Sequence, residues 1–250
     1  MMKIKPISIL CITLFYWSAA VASLPPEFEA VYNLKKFGLD SAKASSSLKR
    51  QTNGTWLYQS LTKTQGLVSL FRKDKIKEHS ILEDIKGKIV PVSYEYRHTG
   101  SSKNRDRSIH FDWDNLRANS MVSGKPSTLP ITPDIVDGFS LQLKLMSDLQ
   151  AGKKSLVYQV LNKGEISPYE FEILGHEMVE TDAGDFNTVK LKRSRKDSKR
   201  RTIMWAAPAL HYLPVKITHI EKDDSHFTLL LESVKGAISK PGNQADNNSE

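Results

Sequence analysis

The groups that could do chemistry are seven histidines and 28 acids in a chain of 250 residues. His176-Glu177-x-x-Glu180 carries the first half of the zinc-helix pattern H-E-x-x-H, but the second histidine is missing. Glu170 to Gly175 before it reads as a strand and Thr181 to Gly184 after it as a turn, so no helical metal-binding face is expected there. His211, His219 and His226 would hold a metal only by converging in space. His219 shares a strand face with Val215 and Ile217, a setting that suits a half-buried structural histidine. Asp112 and Asp114 flank Trp113 on one face, and a carboxylate pair could serve glycoside chemistry. Beside Asn115 they read more simply as turn-flanking acids. There is no G-x-S-x-G elbow, S-x-x-K nucleophile, P-loop or G-x-G-x-x-G. The expectation is therefore no catalytic residue, no metal and no cofactor. A hydrolase of cell-wall glycan or lipid would need acids or histidines to gather in a cleft.

The densest charge runs from Lys190 to Arg201, eight basic residues of twelve with one acid. On a hairpin, Lys192, Arg193, Arg195, Lys199 and Arg200 could meet an anionic surface such as lipid A, phospholipid head groups or acidic glycan. The alternative is a solvated hairpin whose cations protect an edge strand. Arg97 to Arg107 reads as a second, mobile basic loop.

The start of the chain sets the compartment. Lys3 and Lys5 precede a mostly apolar run, Ile7 to Trp17, and Ala20-Val21-Ala22 forms a small-residue cleavage pattern. The run is shorter than the about 20 apolar residues of a membrane span. Residues 1–22 are expected to be a signal peptide cleaved near Ala22, with a retained anchor helix as the alternative. The only cysteine, Cys11, lies inside this run, and Leu10 before it does not suit a lipoprotein signal. The remaining chain has no cysteine, which suits an oxidising compartment. Export to the periplasm disfavours nucleic acid as partner, despite a net charge of +8.

The elements that must position any site are strands. Phe28, Ala30, Tyr32 and Leu34 alternate with more polar neighbours, as do Trp56, Tyr58 and Ser60, then Ile109, Phe111 and Trp113. Turn signals recur at Gly38, Asn53-Gly54, Gly66, Gly87, Gly100, Asp114-Asn115, Gly164 and Gly184. Residues 23–235 are expected to form one mainly β domain, an antiparallel meander closing into a barrel or an open half-barrel. Thr132-Pro133-Asp134 reads as a helix start. Ile135, Phe139, Leu143 and Met146 then fall on one helical face, so one amphipathic helix is expected near 133–150, packed on the sheet. Residues 236–250 hold almost no apolar residue and are expected to be a disordered tail. Trp205 to Val215 is read as a strand end at Trp205, a turn at Pro208 and a new strand from Pro214. Trp205 and Tyr212 would plug a barrel end or line its mouth.

These features together resemble a domain-of-unknown-function family of exported bacterial proteins. The residues carrying the resemblance are Pro133-Asp134, Thr181-Asp182-Ala183-Gly184, the basic hairpin through Arg200-Arg201, and Trp205, Pro208, Tyr212, Leu213, Pro214 and Val215. The resemblance covers about residues 26–235. It implies an exported Gram-negative envelope protein with an antiparallel barrel-like fold, and it carries no functional residues. The broad shape is also similar to the periplasmic lipoprotein carriers of the Lol pathway, an analogy of architecture alone.

Three readings follow. In the first, the protein binds a lipid or acyl chain between sheet and helix, with Phe139, Leu143, Trp205 and Tyr212 as ligand contacts and the basic hairpin facing anionic groups. In the second, the core is filled and the surface serves as a scaffold or assembly factor for envelope proteins. The third is the hydrolase. The first two are non-catalytic.

Overall fold

The computed structural model describes residues 24–66, 68–100, 105–195 and 198–239. The signal-peptide expectation, residues 1–22, lies outside the described residues, as do residues 240–250 of the tail. Fifteen strands form one sheet in the order β8-β7-β6-β5-β4-β3-β2-β1-β15-β14-β13-β12-β11-β10-β9. The first half is a meander: β1 Phe28–Lys36, β2 Leu39–Arg50, β3 Trp56–Thr64, β4 Lys75–Ile85, β5 Lys88–Thr99, β6 Arg105–Asp112, β7 Arg117–Val122 and β8 Lys125–Pro130. After the two-residue β9 (Val136–Asp137) and a helix, a second meander runs through β10 Val157–Asn162, β11 Glu165–Thr181, β12 Gly184–Arg195, β13 Ser198–Ala207, β14 Leu213–Ile220 and β15 His226–Gly236. β15 then pairs with β1, so the two meanders join into one antiparallel sheet. Among the described residues, only β9 runs parallel to its neighbour.

The sheet is open, not closed by a ladder: β8 and β9 are its edges. Pro126 and Pro130 explain the first edge. They fall on alternate positions of β8, whose other positions face β7, and a proline offers no N–H to a further strand. Side chains draw the two ends together instead. Ile109, Phe111 and Ala118 of the first meander cluster with Ile131, Ile135 and Leu161.

The helix α2 (Leu141–Gln150) lies in the hollow of this curved sheet. It starts later than the expected residue 133. Thr132-Pro133-Asp134 forms a single turn, closed by Ile135 N–H donating to Thr132 O at 3.2 Å, and the chain then extends as β9. The reason is Asp137. Its carboxylate accepts from the N–H groups of Phe139 and Ser140, both at 2.8 Å, and from Ser140 Oγ at 2.6 Å. That arrangement satisfies N–H groups a new helix leaves open. A four-residue helix, α1 (Val68–Phe71), which strand periodicity does not signal, sits in the β3–β4 connection.

The tail boundary also differs from expectation. Ala237–Ser239 is a 3-10 turn, Ile238 is buried in the main core, and its N–H donates to Glu27 O at 3.3 Å.

Candidate functional site

Around α2 the interior is packed by the chain itself. Leu143 and Met146 of α2 enter the cluster of Phe28, Leu48, Tyr58 and Leu82. Leu141, Leu145 and Leu149 enter a second cluster with Val160, Phe171 and Leu191. The helix therefore buries side chains on two sides. Just before it, Phe139 stacks on Tyr58 with ring centroids 4.0 Å apart.

Of the four residues expected to contact a ligand, Leu143 and Trp205 are buried and Phe139 and Tyr212 half-buried, all within or against one core cluster. Trp205 lies beneath two cations, Lys216 at 4.4 Å and Lys190 at 5.1 Å from its ring centroid. Register places it opposite Lys190 and Lys216 on neighbouring strands. Tyr212 follows the 3-10 turn Pro208–Leu210 in left-handed backbone (φ 62°), and its N–H donates to Ala207 O at 2.8 Å. This turn and α2 close the hollow from within.

A polar network holds the start of α2 to the sheet. Ser80 of β4 donates to Asp137 Oδ1 at 3.0 Å. Nearby, Tyr94 donates to Glu78 Oε1 at 2.6 Å. Burial pushes the Glu78 carboxyl up to about 7, opposed by the Tyr94 hydrogen bond and reinforced by Asp137. Burial likewise raises Asp137, while its hydrogen bonds from Ser140, Phe139 and Ser80 hold it down. Asp137 is fully buried with both oxygens engaged by the fold, whereas Glu78 is half-buried, accepts from Tyr94 at Oε1 and lines the groove that crosses β1 to β7. Pattern analysis overlooked both, because Glu78 reads as an ordinary strand residue and Asp137 falls inside the expected helix.

The basic hairpin forms as expected between β12 and β13, with its turn residues 196–197 outside the described residues. Its cations meet acids on β11 and in the β14–β15 turn. Lys192 pairs with Glu172 at 3.2 Å, Lys190 with Glu177 at 2.7 Å, Arg200 with Glu221 at 2.6 Å and Arg201 with Asp224 at 3.6 Å. Arg193 donates to Thr202 Oγ1 at 3.2 Å and lies over the Tyr169 ring. Thr202 Oγ1 is in turn 2.9 Å from His219 Nδ1, and burial with the nearby Arg193 charge lowers that imidazole to about 4. A neutral His219 accepting from Thr202 fits this chain of donors. Lys199 is exposed, and the side chain of Arg195 lies outside the described residues. The histidines and acids raised above do not assemble. Asp112 accepts from Asn115 N and Nδ2 in the β6–β7 turn. Among the described residues no three His, Cys, Asp or Glu side chains form a group able to hold a metal ion.

The cavity that sequence reasoning missed is a groove of about 890 Å³ crossing β1 to β7. Register sets Ser47, Gln59, His79, Glu95 and Ser108 in one cross-strand row and Ser45, Leu61, Lys77, Arg97 and Asp106 in the next. All line the groove. Between these rows run Ser46, Ser60, Glu78, Tyr96 and Arg107, which also line the groove and share the face of Tyr58, Ser80 and Tyr94. The wall mixes hydroxyls and one amide with both signs of charge, and has short apolar patches at Val31, Leu61 and Met121.

Among curated proteins, none matches the chain. Among solved structures, a beta-barrel-like protein of the domain of unknown function DUF1849 from Brucella abortus is similar, with a TM-score of 0.56 at 8% identity, covering 85% of this chain and 98% of that one. That likeness is one of fold. MucB aligns with a TM-score of 0.36 at 10% identity, covering 93% of this chain and 61% of that one. The Pseudomonas aeruginosa MucA/MucB complex aligns with a TM-score of 0.18 at 9% identity, covering 87% and 96%. Residues 27–232 match the family described as Protein of unknown function (DUF3108), and the chain belongs to that family.

Proposed function

We propose that this is a non-catalytic periplasmic protein of the Gram-negative envelope that works through its surface, as a scaffold or assembly factor for envelope proteins. The observation that carries this reading is the packing of Leu143, Leu145 and Met146 into the hollow, where each is essentially inaccessible to solvent. An acyl chain between sheet and helix would have to displace them. The buried Asp137 is spent on holding the start of α2, and Glu78, half-buried in the groove wall, accepts from Tyr94. Export rests on Lys3, Lys5, the apolar run to Trp17 and Ala20-Val21-Ala22.

The groove across β1 to β7 is the surface best suited to a partner. Hydroxyls, an amide and paired charges match the backbone amides and mixed side chains of an extended polypeptide better than they match an acyl chain. A photo-cross-linking residue at Gln59, His79 or Ser108 should capture one discrete partner band in growing cells, and the same residue at Asp223 should not. Equal labelling from groove and control positions would contradict the reading.

A further inference from the structure

The meander places the β1–β2, β3–β4, β12–β13 and β14–β15 connections at one end of the sheet. That end carries four large apolar side chains left in water: Phe37 is 72% exposed, Leu39 70%, Leu70 72% and Phe71 87%. They sit on two adjacent connections. Gln65 N–H of the β3–β4 connection donates to Ser41 O of β2 at 3.1 Å, so α1 with Leu70 and Phe71 is tied beside the turn bearing Phe37 and Leu39. No core need explains them. Phe37 occupies a left-handed turn position (φ 52°), where glycine or asparagine would be easier.

The charge around them is cationic. Residues 35–40 and 63–75 hold six Lys or Arg against two Asp. Lys36 Nζ lies 5.4 Å from the Phe37 ring centroid. Arg72 pairs with Asp74 at 2.9 Å, which neutralises one charge of each sign and leaves the excess cationic. The basic hairpin ends at this same face. Of the three acids of the β14–β15 turn, Glu221 and Asp224 are met by Arg200 and Arg201, and Asp223 accepts from Ser225. Apolar tips ringed by cations supply the two signals that stable interfacial binding requires, apolar insertion and attraction to anionic lipid.

We infer that this end of the sheet docks on an anionic bilayer surface, with Phe37, Leu39, Leu70 and Phe71 entering the head-group region. The protein would then stand on its hairpin tips, with the Pro208–Tyr212 end directed away from the lipid.

The test is co-sedimentation of the mature chain with vesicles of phosphatidylethanolamine and phosphatidylglycerol, against vesicles of phosphatidylcholine alone. The wild type is expected to bind the anionic vesicles and to lose most binding in high salt. The variant Phe37→Ser, Leu39→Ser, Leu70→Ser, Phe71→Ser should bind at least tenfold more weakly with an unchanged melting temperature. Should it fail to fold, single Phe37→Trp and Phe71→Trp variants give the same answer: their emission should shift to the blue on adding anionic vesicles and be quenched by brominated lipid. Absence of wild-type binding, equal binding by the serine variant, or a Trp signal unchanged by vesicles would overturn the inference. So would a dimer in sedimentation velocity that the serine variant abolishes, if vesicle binding is absent.

Discussion

Ser80 Oγ donates to Asp137 Oδ1 at 3.0 Å across a separation of 57 residues, and through this bond β4 fixes where α2 begins. The same carboxylate caps the helix, so one buried side chain joins local helix chemistry to the assembly of the two meanders. Asp137→Ala leaves two N–H groups and two hydroxyls without their acceptor. It should destabilise the fold by about 2–4 kcal/mol, read from the urea midpoint. Asp137→Asn keeps one acceptor oxygen and should cost less.

Glu78 gives a stability term of defined sign. Burial pushes its carboxyl up to about 7, above the ordinary glutamate value of 4.5. The folded state therefore holds the proton more tightly than the unfolded state. The contribution is full below pH 4.5 and is lost as pH rises through 7, amounting to about 3 kcal/mol. Asp137 is shifted in the same direction. Thermal melts of wild type and Glu78→Gln between pH 5 and 8 should diverge, with the wild type losing more stability toward pH 8. Parallel curves would show that Glu78 titrates normally.

Leu143→Ala should cost about 2–5 kcal/mol, the range for an aliphatic side chain removed from a packed interior. Chemical denaturation measures it. A loss below about 1 kcal/mol would mean that the space around α2 is loosely filled.

The proline-blunted edge makes a different prediction. Pro126→Thr with Pro130→Thr restores two outward N–H groups on β8 and should promote concentration-dependent dimers, visible by size-exclusion chromatography, without lowering the monomer's melting temperature.

The parts of the fold carried by short-range signals were readable in advance. Asp114-Asn115 does turn β6 into β7, and Asp182-Ala183 does link β11 to β12. Pro208 to Tyr212 does separate two strands, within two residues of the expected limits. The helix start was misplaced because Thr132-Pro133-Asp134 carries the same local chemistry as the real cap, and only Ser80, distant in sequence, selects Asp137. The open edges and the groove depend on register across many strands, which period-two patterning does not contain. The acids facing the basic hairpin, Glu172, Glu177, Glu221 and Asp224, are likewise brought there by pairing alone. An apolar stripe from Ile135 to Met146 announces burial but does not say whether the buried face meets a ligand or the protein's own core.

That last distinction is the center of the account, and native mass spectrometry of the protein, purified gently from its host, tests it most directly. The filled interior predicts a bare mass equal to the denatured mass. A stoichiometric lipid-sized adduct would contradict it and place an apolar ligand where Leu143 and Met146 now pack.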